Sequence, residues 1–546
     1  MSGRPPAPTT GGTPGADHTG AEHTAVPDAG SDPLSILVAI DRLTVGPVRL
    51  EPRRVRAPYV VEQNGERIET ELSFSYREQV FTPGDQASEN LAALVVAQVA
   101  MNYGLFCREI VFHGPLDAAD QRFIRDMTEN TSREIYVNKF LIDNPFLLGD
   151  AARLPVVKRR TYTAARLLFP DAVPGSRRAS GRLPAPGADA PLAGRASIAW
   201  PGPAEDPRKV AVLSSGGKDS LLSFGLLREA GFDVHPFFGN ESGRHWHTAL
   251  NTFRRFEREV PNTARVWMSS DRVFPFMARR LPFVRKDVFR VRADIYPIRL
   301  WTVAVFLFAV LPLVRKRGIG RVVIGNEYDT TRRVESHGIP HYDGLFDQSR
   351  FFDETLTAFY RAKGMAIEQF SVLRPVSELL VQQILAARYP DLHADQVSCH
   401  SGVKEGDRVV PCGTCEKCRR IVGMLVAGGY DPAICGYRPD QVAACLTALE
   451  TRDLHQAGPD AEHLVWLLAR GGHVKPKRRT GRKGMHAEAG VAREHPEVGL
   501  LRFEPECSPI DGIPPDVRKP LFRILLEHVP GAVERRGRSW VPIEFG

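Results

Sequence analysis

From residue 208 onwards, short apolar runs alternate with longer stretches in which apolar residues recur at helical spacing. The runs 209–213, 234–238, 264–268 and 321–325 carry Val, Ala and Phe over a strand's length, which predicts strands, and the stretches between them predict helices. Such alternation predicts an α/β fold class, with a parallel sheet covered by helices on both faces. Upstream, Glu71-Leu72-Ser73-Phe74-Ser75-Tyr76 alternates with a period of two, as a strand does, and residues 90–103 read as a helix. Residues 33–170 are therefore expected to form an N-terminal α/β module. It contains no chemical motif, so a structural or substrate-shaping role is expected. The run 300–314 is apolar between Arg299 and Arg315 but carries Thr302 and Pro312. It is shorter than the ~18–20 residues of a membrane span, which predicts a buried helix and no membrane partner.

Composition changes between these segments. Residues 1–32 are dominated by Pro, Gly, Thr, Ala and Asp and predict a disordered tail. They contain no apolar segment of a secretory signal, so a cytoplasmic location is expected. Residues 171–207 are dense in Pro, Ala, Gly and Arg and read as a linker. The α/β domain is expected over 208–440, a helical and basic linker over 441–490, and a small C-terminal module over 491–546. The net charge of +8 is small for 546 residues. It permits an anionic substrate without requiring nucleic acid. The tract from Lys475 to Lys483 adds Lys477, Arg478, Arg479 and Arg482 among glycines. It is either a solvated linker or a polyanion patch, and its lack of aromatics argues against single-strand stacking.

The strongest chemical signal follows the first of the predicted strands. Ser214-Ser215-Gly216-Gly217-Lys218-Asp219-Ser220 joins it to a helix expected from about Leu221. A strand, a glycine pair and a helix N-terminus aim backbone N–H groups at one point, where the helix dipole favours an anion. Gly216 and Gly217 let the backbone approach phosphate oxygens. Lys218 adds a mobile charge, Ser214 and Ser220 offer hydroxyls, and Asp219 can hold the loop or help place Mg2+. The Walker A spacing is absent, because Asp219 follows the lysine and no glycine lies five positions before Gly217.

Two Asn-Glu pairs follow later strands: Asn240-Glu241 and Asn326-Glu327. In a parallel sheet, ligands gather at the carboxyl ends of strands, so both pairs fall where a ligand should sit. Either pair also suits a turn and helix cap. The polar segment His337, His341, Tyr342, Asp343, Asp347, Gln348, Ser349 and Arg350 is a candidate substrate region or a surface loop, and Arg292–Arg299 leads charged residues into the apolar run.

Of the eight cysteines, Cys412, Cys415 and Cys418 form C-x2-C-x2-C, with Cys399 thirteen positions upstream. Four thiolates at this spacing can close on one metal, and an all-thiolate tetrahedron is typical of structural Zn2+. An iron–sulfur cluster or a thiol relay are the alternatives, and His400 is a substitute fourth ligand. Lys417, Arg419 and Arg420 would offset the thiolate charge.

The heptad resembles the S-G-G-x-D-S loop of the PP-loop (N-type) ATP pyrophosphatases. That resemblance implies an adenine-nucleotide α-hydrolase-like fold, ATP and Mg2+ as ligands, and a loop that grips the departing pyrophosphate. Together with the cysteine pattern, it is similar to the 7-cyano-7-deazaguanine synthases, which adenylate a deazapurine carboxylate and hold a structural zinc. A second resemblance, over residues 70–430, is to the ATP-dependent epimerases of UDP-muramoyl-alanyl-glutamate. It adds the segment Arg374-Pro375-Val376-Ser377-Glu378. The function implied is adenylation of a carboxylate-bearing small molecule with release of pyrophosphate, then amidation, nitrile formation or epimerisation. Lys218, Asp219 and Glu327 are the expected catalytic residues, with Glu327 or His341 as base if the product is an epimer. Ser214–Ser220, Asn240 and Asn326 are the expected ATP ligands. An RNA-modifying sulfur transferase using the same adenylation, and a non-enzymatic nucleotide sensor, are the alternatives.

Overall fold

The structure, a computed structural model, describes residues 32–173, 197–241, 243–291, 297–452, 454, 456–475 and 490–544. The expected tail up to residue 31, most of the expected linker and the basic tract beyond Lys475 lie outside the described residues. So do Arg292–Tyr296 of the charged segment before the apolar run.

Six strands come from the N-terminal part: β1 (Ile40–Val45), β2 (Arg49–Glu51), β3 (Arg54–Gln63), β4 (Glu66–Ser75), β5 (Cys107–Phe112) and β6 (Arg166–Leu168). Next come β7 (Asp206–Leu213), β8 (Asp233–Asn240), β9 (Ala264–Met268), β10 (Ile319–Val323), a hairpin of β11 (Arg333–Ser336) and β12 (Ile339–Tyr342), and β13 (Glu368–Phe370). All but the hairpin join one eleven-stranded sheet in the order β13-β10-β7-β8-β9-β4-β3-β1-β5-β6, with β2 on β3. The half from β13 to β9 is parallel throughout. The other half is mixed, and the halves meet where β4 pairs antiparallel with β9, Phe74 opposite Met268. The N-terminal strands and the strands after residue 208 therefore share a single sheet.

The side-chain alternation of a strand explains the two cores. Along β7, Val210 and Val212 face a core built with the helices Lys218–Glu229 and Glu378–Arg388, while Ala211 faces the core holding the apolar helix Val303–Arg317. The apolar run is thus buried, and among the described residues no helix is long and apolar enough to cross a membrane. Its N-terminus is capped from a distance: Val303 N and Ala304 N donate to Asp347 Oδ2 at 3.0 and 3.3 Å. The expected helix 90–103 is an α-helix over Gln86–Ala97 that tightens into a 3-10 turn over Gln98–Tyr103.

A sealed ionic cluster ties the N-terminal helices to the rest. Lys363 Nζ lies 2.8 Å from Asp117 Oδ2 and 2.6 Å from Asp120 Oδ1, all three side chains being fully buried. Asn90 accepts from Trp200 Nε1 at 2.7 Å, and Asp117 also accepts from Ser197 N and Ile198 N. The C-terminal segment forms its own three-stranded sheet, and its helix Pro515–Leu526 packs against the core of the helix Lys218–Glu229.

Candidate functional site

Strand order locates the site. The chain leaves β7 towards β8 and β9, then returns to place β10 on the other side of β7. Connections therefore diverge between β7 and β10, and a crevice opens at their carboxyl ends. The loop after β7, Ser214–Gly217, faces the loop after β10, Ile324–Glu327, across it. Gly216 has φ +74°, and a Cβ there would sit 2.5 Å from Thr248 O, so both the turn and the close approach require glycine. A Cβ on Gly325 would lie 2.8 Å from the backbone of Asp219, which brings the two loops into contact. Gly217 begins the helix Lys218–Glu229 without a side-chain cap, leaving its first N–H groups available to an anion.

Lys218 is only 5% exposed. Its Nζ lies 2.6 Å from Asp219 Oδ1, 3.2 Å from Glu327 Oε1 and 3.3 Å from Glu378 Oε1. Burial alone would lower its pKa, but the three carboxylates outweigh burial and raise it, so Lys218 stays charged. Glu378 accepts from Arg420 Nη1 at 3.0 Å and Gln456 Nε2 at 2.6 Å. Burial pushes its carboxyl up, yet Arg420 and Lys218 hold it below the usual range. Glu327 is pushed upward, first by burial and then by Asp219. Three carboxylates thus face two cations, Lys218 and Arg420, at the edge of a cavity.

Two buried polar atoms beside this cluster, Ser214 Oγ and Asn326 Nδ2, have no hydrogen-bond partner among the described residues. An unmade buried hydrogen bond costs about 1–3 kcal/mol, so each calls for a partner from outside the protein. Asn326 is otherwise fixed, since its backbone donates to and accepts from Ser371 Oγ at 3.0 and 2.7 Å.

Three cavities meet here. A polar one of about 290 Å³ is lined by Lys218, Glu327, Glu378, Lys417 and Arg420. A larger one of about 760 Å³ holds Ser214 and Asn326, with Phe237, Val303, Phe306 and Val310 as apolar wall. A third, of about 310 Å³, is lined by Glu241, Asp271, Phe274 and Phe289 and shares Arg299, His245 and His400 with the second.

The four cysteines gather beside the polar cavity. One sulfur of each of Cys399, Cys412, Cys415 and Cys418 lies within 4.8 Å of all the others. The pairs Cys399–Cys412, Cys412–Cys418 and Cys415–Cys418 are 3.4, 3.8 and 3.6 Å apart. A tetrahedron with Zn–S bonds of ~2.3 Å has edges of ~3.8 Å, so the thiols fit zinc, and His400 is not needed as a ligand. Cys415 caps the helix Glu416–Ala427, whose first turns carry Cys418, Lys417 and Arg420. Two residues before Cys399, Val397 N donates to Gly216 O at 3.1 Å. The knuckle is thus bonded to the glycine loop.

Most of the sequence-derived residues converge. Ser214, Ser215, Gly217, Lys218, Asp219, Ser220, Asn326 and Glu327 line the first two cavities, and Gly216 shapes the loop from behind. Asn240 is buried at the end of β8 and lines none of the three, whereas its neighbour Glu241 lines the third. His341 is buried on β12, its pKa lowered by burial, and also lines none of them. Of the polar segment near it, Gln348 reaches the cavities, while Asp347 caps a helix. Arg374 is structural: it donates to Thr330 Oγ1 at 2.7 Å, Gln348 O at 2.9 Å and Asp353 Oδ2 at 2.7 Å. Sequence reading missed Thr248 and Ser398, and left Glu378 without a role. No protein-family model, curated protein or solved structure matches the chain.

Proposed function

We propose that this chain is an ATP pyrophosphatase of the PP-loop type that adenylates a carboxylate. The observation that carries the reading is the uncapped glycine loop with Lys218 at the crevice between β7 and β10, facing a cavity that is polar on one side and apolar on the other. On this reading the adenosine occupies the larger cavity, where Ser214 Oγ and Asn326 Nδ2 gain partners. The β and γ phosphates lie against Lys218 and the first-turn N–H groups. A carboxylate oxygen of the acceptor attacks the α-phosphorus and forms an acyl–phosphate bond. The bond from the α-phosphorus to the bridging oxygen breaks, and pyrophosphate leaves with the electron pair. Lys218 and the N–H groups stabilise its charge. Asp219 would help place Mg2+, which supplies further charge neutralisation when bound.

The cysteines would hold Zn2+ as a structural group, keeping Val397 on the loop and Lys417 and Arg420 over the cavity. For the step after adenylation, Glu327 is the base at the cavity, and its raised pKa suits proton transfer near neutrality. A thiol relay gains no support, because Cys107, Cys435, Cys445 and Cys507 are buried and none lines any of the three cavities described. The test is product analysis with Mg-ATP: AMP and pyrophosphate, lost on Lys218→Met, are expected.

A further inference from the structure

The larger cavity holds one cation that no group of the protein answers. The helix Ala118–Ile135 does not stop at its last α-turn but widens into a π-turn over Tyr136–Phe140. Such turns are rare and recur at functional sites, where the extra residue re-aims the side chains around it. Here Tyr136, Val137 and Phe140 enter the core, and Lys139 lines the cavity of about 760 Å³. Asn144 Nδ2 donates to Lys139 O at 3.0 Å and to Pro297 O at 2.8 Å, which fixes the turn beside the segment leading to Arg299. Among the described residues the Lys139 amine makes no hydrogen bond and no ion pair, and the charge that acts on it is that of Arg299, of its own sign. Burial first, and then Arg299, lower its pKa to about 8, so it still carries its charge at neutral pH. The carboxylates nearby are engaged elsewhere. Glu241 and Asp271 act on Arg299, while Asp219 and Glu416, the two carboxylates lining the cavity, are paired with Lys218 and Arg420.

We propose that Lys139 seats an acidic group of the acceptor, a second one besides the carboxylate that is adenylated, so that the acceptor is a diacid. An ammonium held in a cavity wall without a counter-charge is costly to keep, and an anion that enters with the ligand removes that cost. The seat is separate from the phosphate site. Lys139, Leu300, Thr302 and Val303 line the larger cavity but not the polar one, which holds Lys218 and the start of its helix. A carboxylate or a phosphate ester would satisfy Lys139, because an ammonium acts as a point charge and imposes no planar, two-pronged geometry.

That the acidic group belongs to an adenylated acceptor rests on the reading above, whereas the seat itself is tested without nucleotide. The full chain is treated with an acetylating reagent at mildly alkaline pH, and acetylation of Lys139 is followed by peptide mass spectrometry. Succinate or glycerol 3-phosphate, at about tenfold its dissociation constant, should slow that acetylation ~10-fold by mass action, and succinamide or glycerol should not. The acid that protects more strongly tells a carboxylate seat from a phosphate seat. Lys139→Met should weaken calorimetric binding of the protecting acid ~10-fold or more, the scale of one charge-assisted hydrogen bond. Its melting temperature should stay equal or rise, because no partner is lost, whereas a structural lysine would lower it. Protection by the uncharged probes, no protection by either acid, protection by Mg-ATP alone, or a lower melting temperature of Lys139→Met would overturn the proposal. If the acids protect Lys139 but no acceptor elicits AMP, the seat stands and the adenylation reading falls. If AMP forms as readily from monoacids as from diacids, the diacid proposal falls and the adenylation reading stands.

Discussion

Lys218 and Lys363 are both buried among carboxylates, but Lys363 is closed in by protein on every side whereas Lys218 faces a cavity. Around Lys363, Asp117 and Asp120 find partners in the lysine, in Asn90 and in the backbone of 197–198. Burial still pushes Asp120 up to about 6. Around Lys218, acceptor oxygens of Asp219 and Glu327 and the nearby Ser214 Oγ and Asn326 Nδ2 remain available. The same ion pairing therefore sits in two settings: one closed, where the lysine itself compensates the carboxylates, and one open to a cavity, where the proposed function places a ligand.

The comparison breaks most readily at Lys363. Lys363→Met leaves two buried carboxylates uncompensated and should cost ~3–5 kcal/mol in urea denaturation. Adding Asp117→Asn and Asp120→Asn should recover most of that. Lys218→Met should cost less stability, ~1–2 kcal/mol, because water in the cavity can solvate its partners, yet lower pyrophosphate release by ~10²–10³-fold. Equal stability losses at the two lysines would collapse the distinction.

A smaller effect separates the two clusters through the cysteines. Glu378, bonded to Lys218, is held by Arg420 from the knuckle helix, whereas no knuckle residue touches Lys363. Metal analysis should find about one zinc per chain. Chelation should lower the melting temperature and weaken Mg-ATP binding. Unchanged ATP affinity in the metal-free chain would sever the knuckle from the loop.

The smallest effect concerns buried carboxyls with no lysine. Burial, then the Asp347 carboxylate, push Glu134 up to about 8, and burial pushes Asp347 up to about 7. Both keep protons in the folded chain at pH values where the unfolded chain has lost them. Their contribution is therefore full below about pH 4 and declines as pH rises towards 8. Glu134→Gln should flatten this decline in denaturation series at pH 5 to 8, and an unchanged slope would contradict it.

What the sequence made legible was local. The heptad 214–220 reads directly because strand, glycine pair and helix are contiguous, and the cysteine spacing reads for the same reason. Glu378 was visible only as the end of the Arg374–Glu378 segment. Its place beside Lys218 depends on the packing of the helices Lys218–Glu229 and Glu378–Arg388, which no local periodicity encodes. Lys417 and Arg420 read as counter-charges to thiolates, yet they line the cavity, because the helix Glu416–Ala427 that carries Cys418 also borders it. The pairing of β4 with β9 joins residues nearly 200 positions apart, so a separate N-terminal module was the natural reading of the sequence.

The most direct test of the central claim is the identity of the nucleotide product. Purified chain, Mg-ATP and a panel of carboxylates should yield AMP and pyrophosphate with a matching acceptor, and none after Lys218→Met. ADP and phosphate as products would contradict the account.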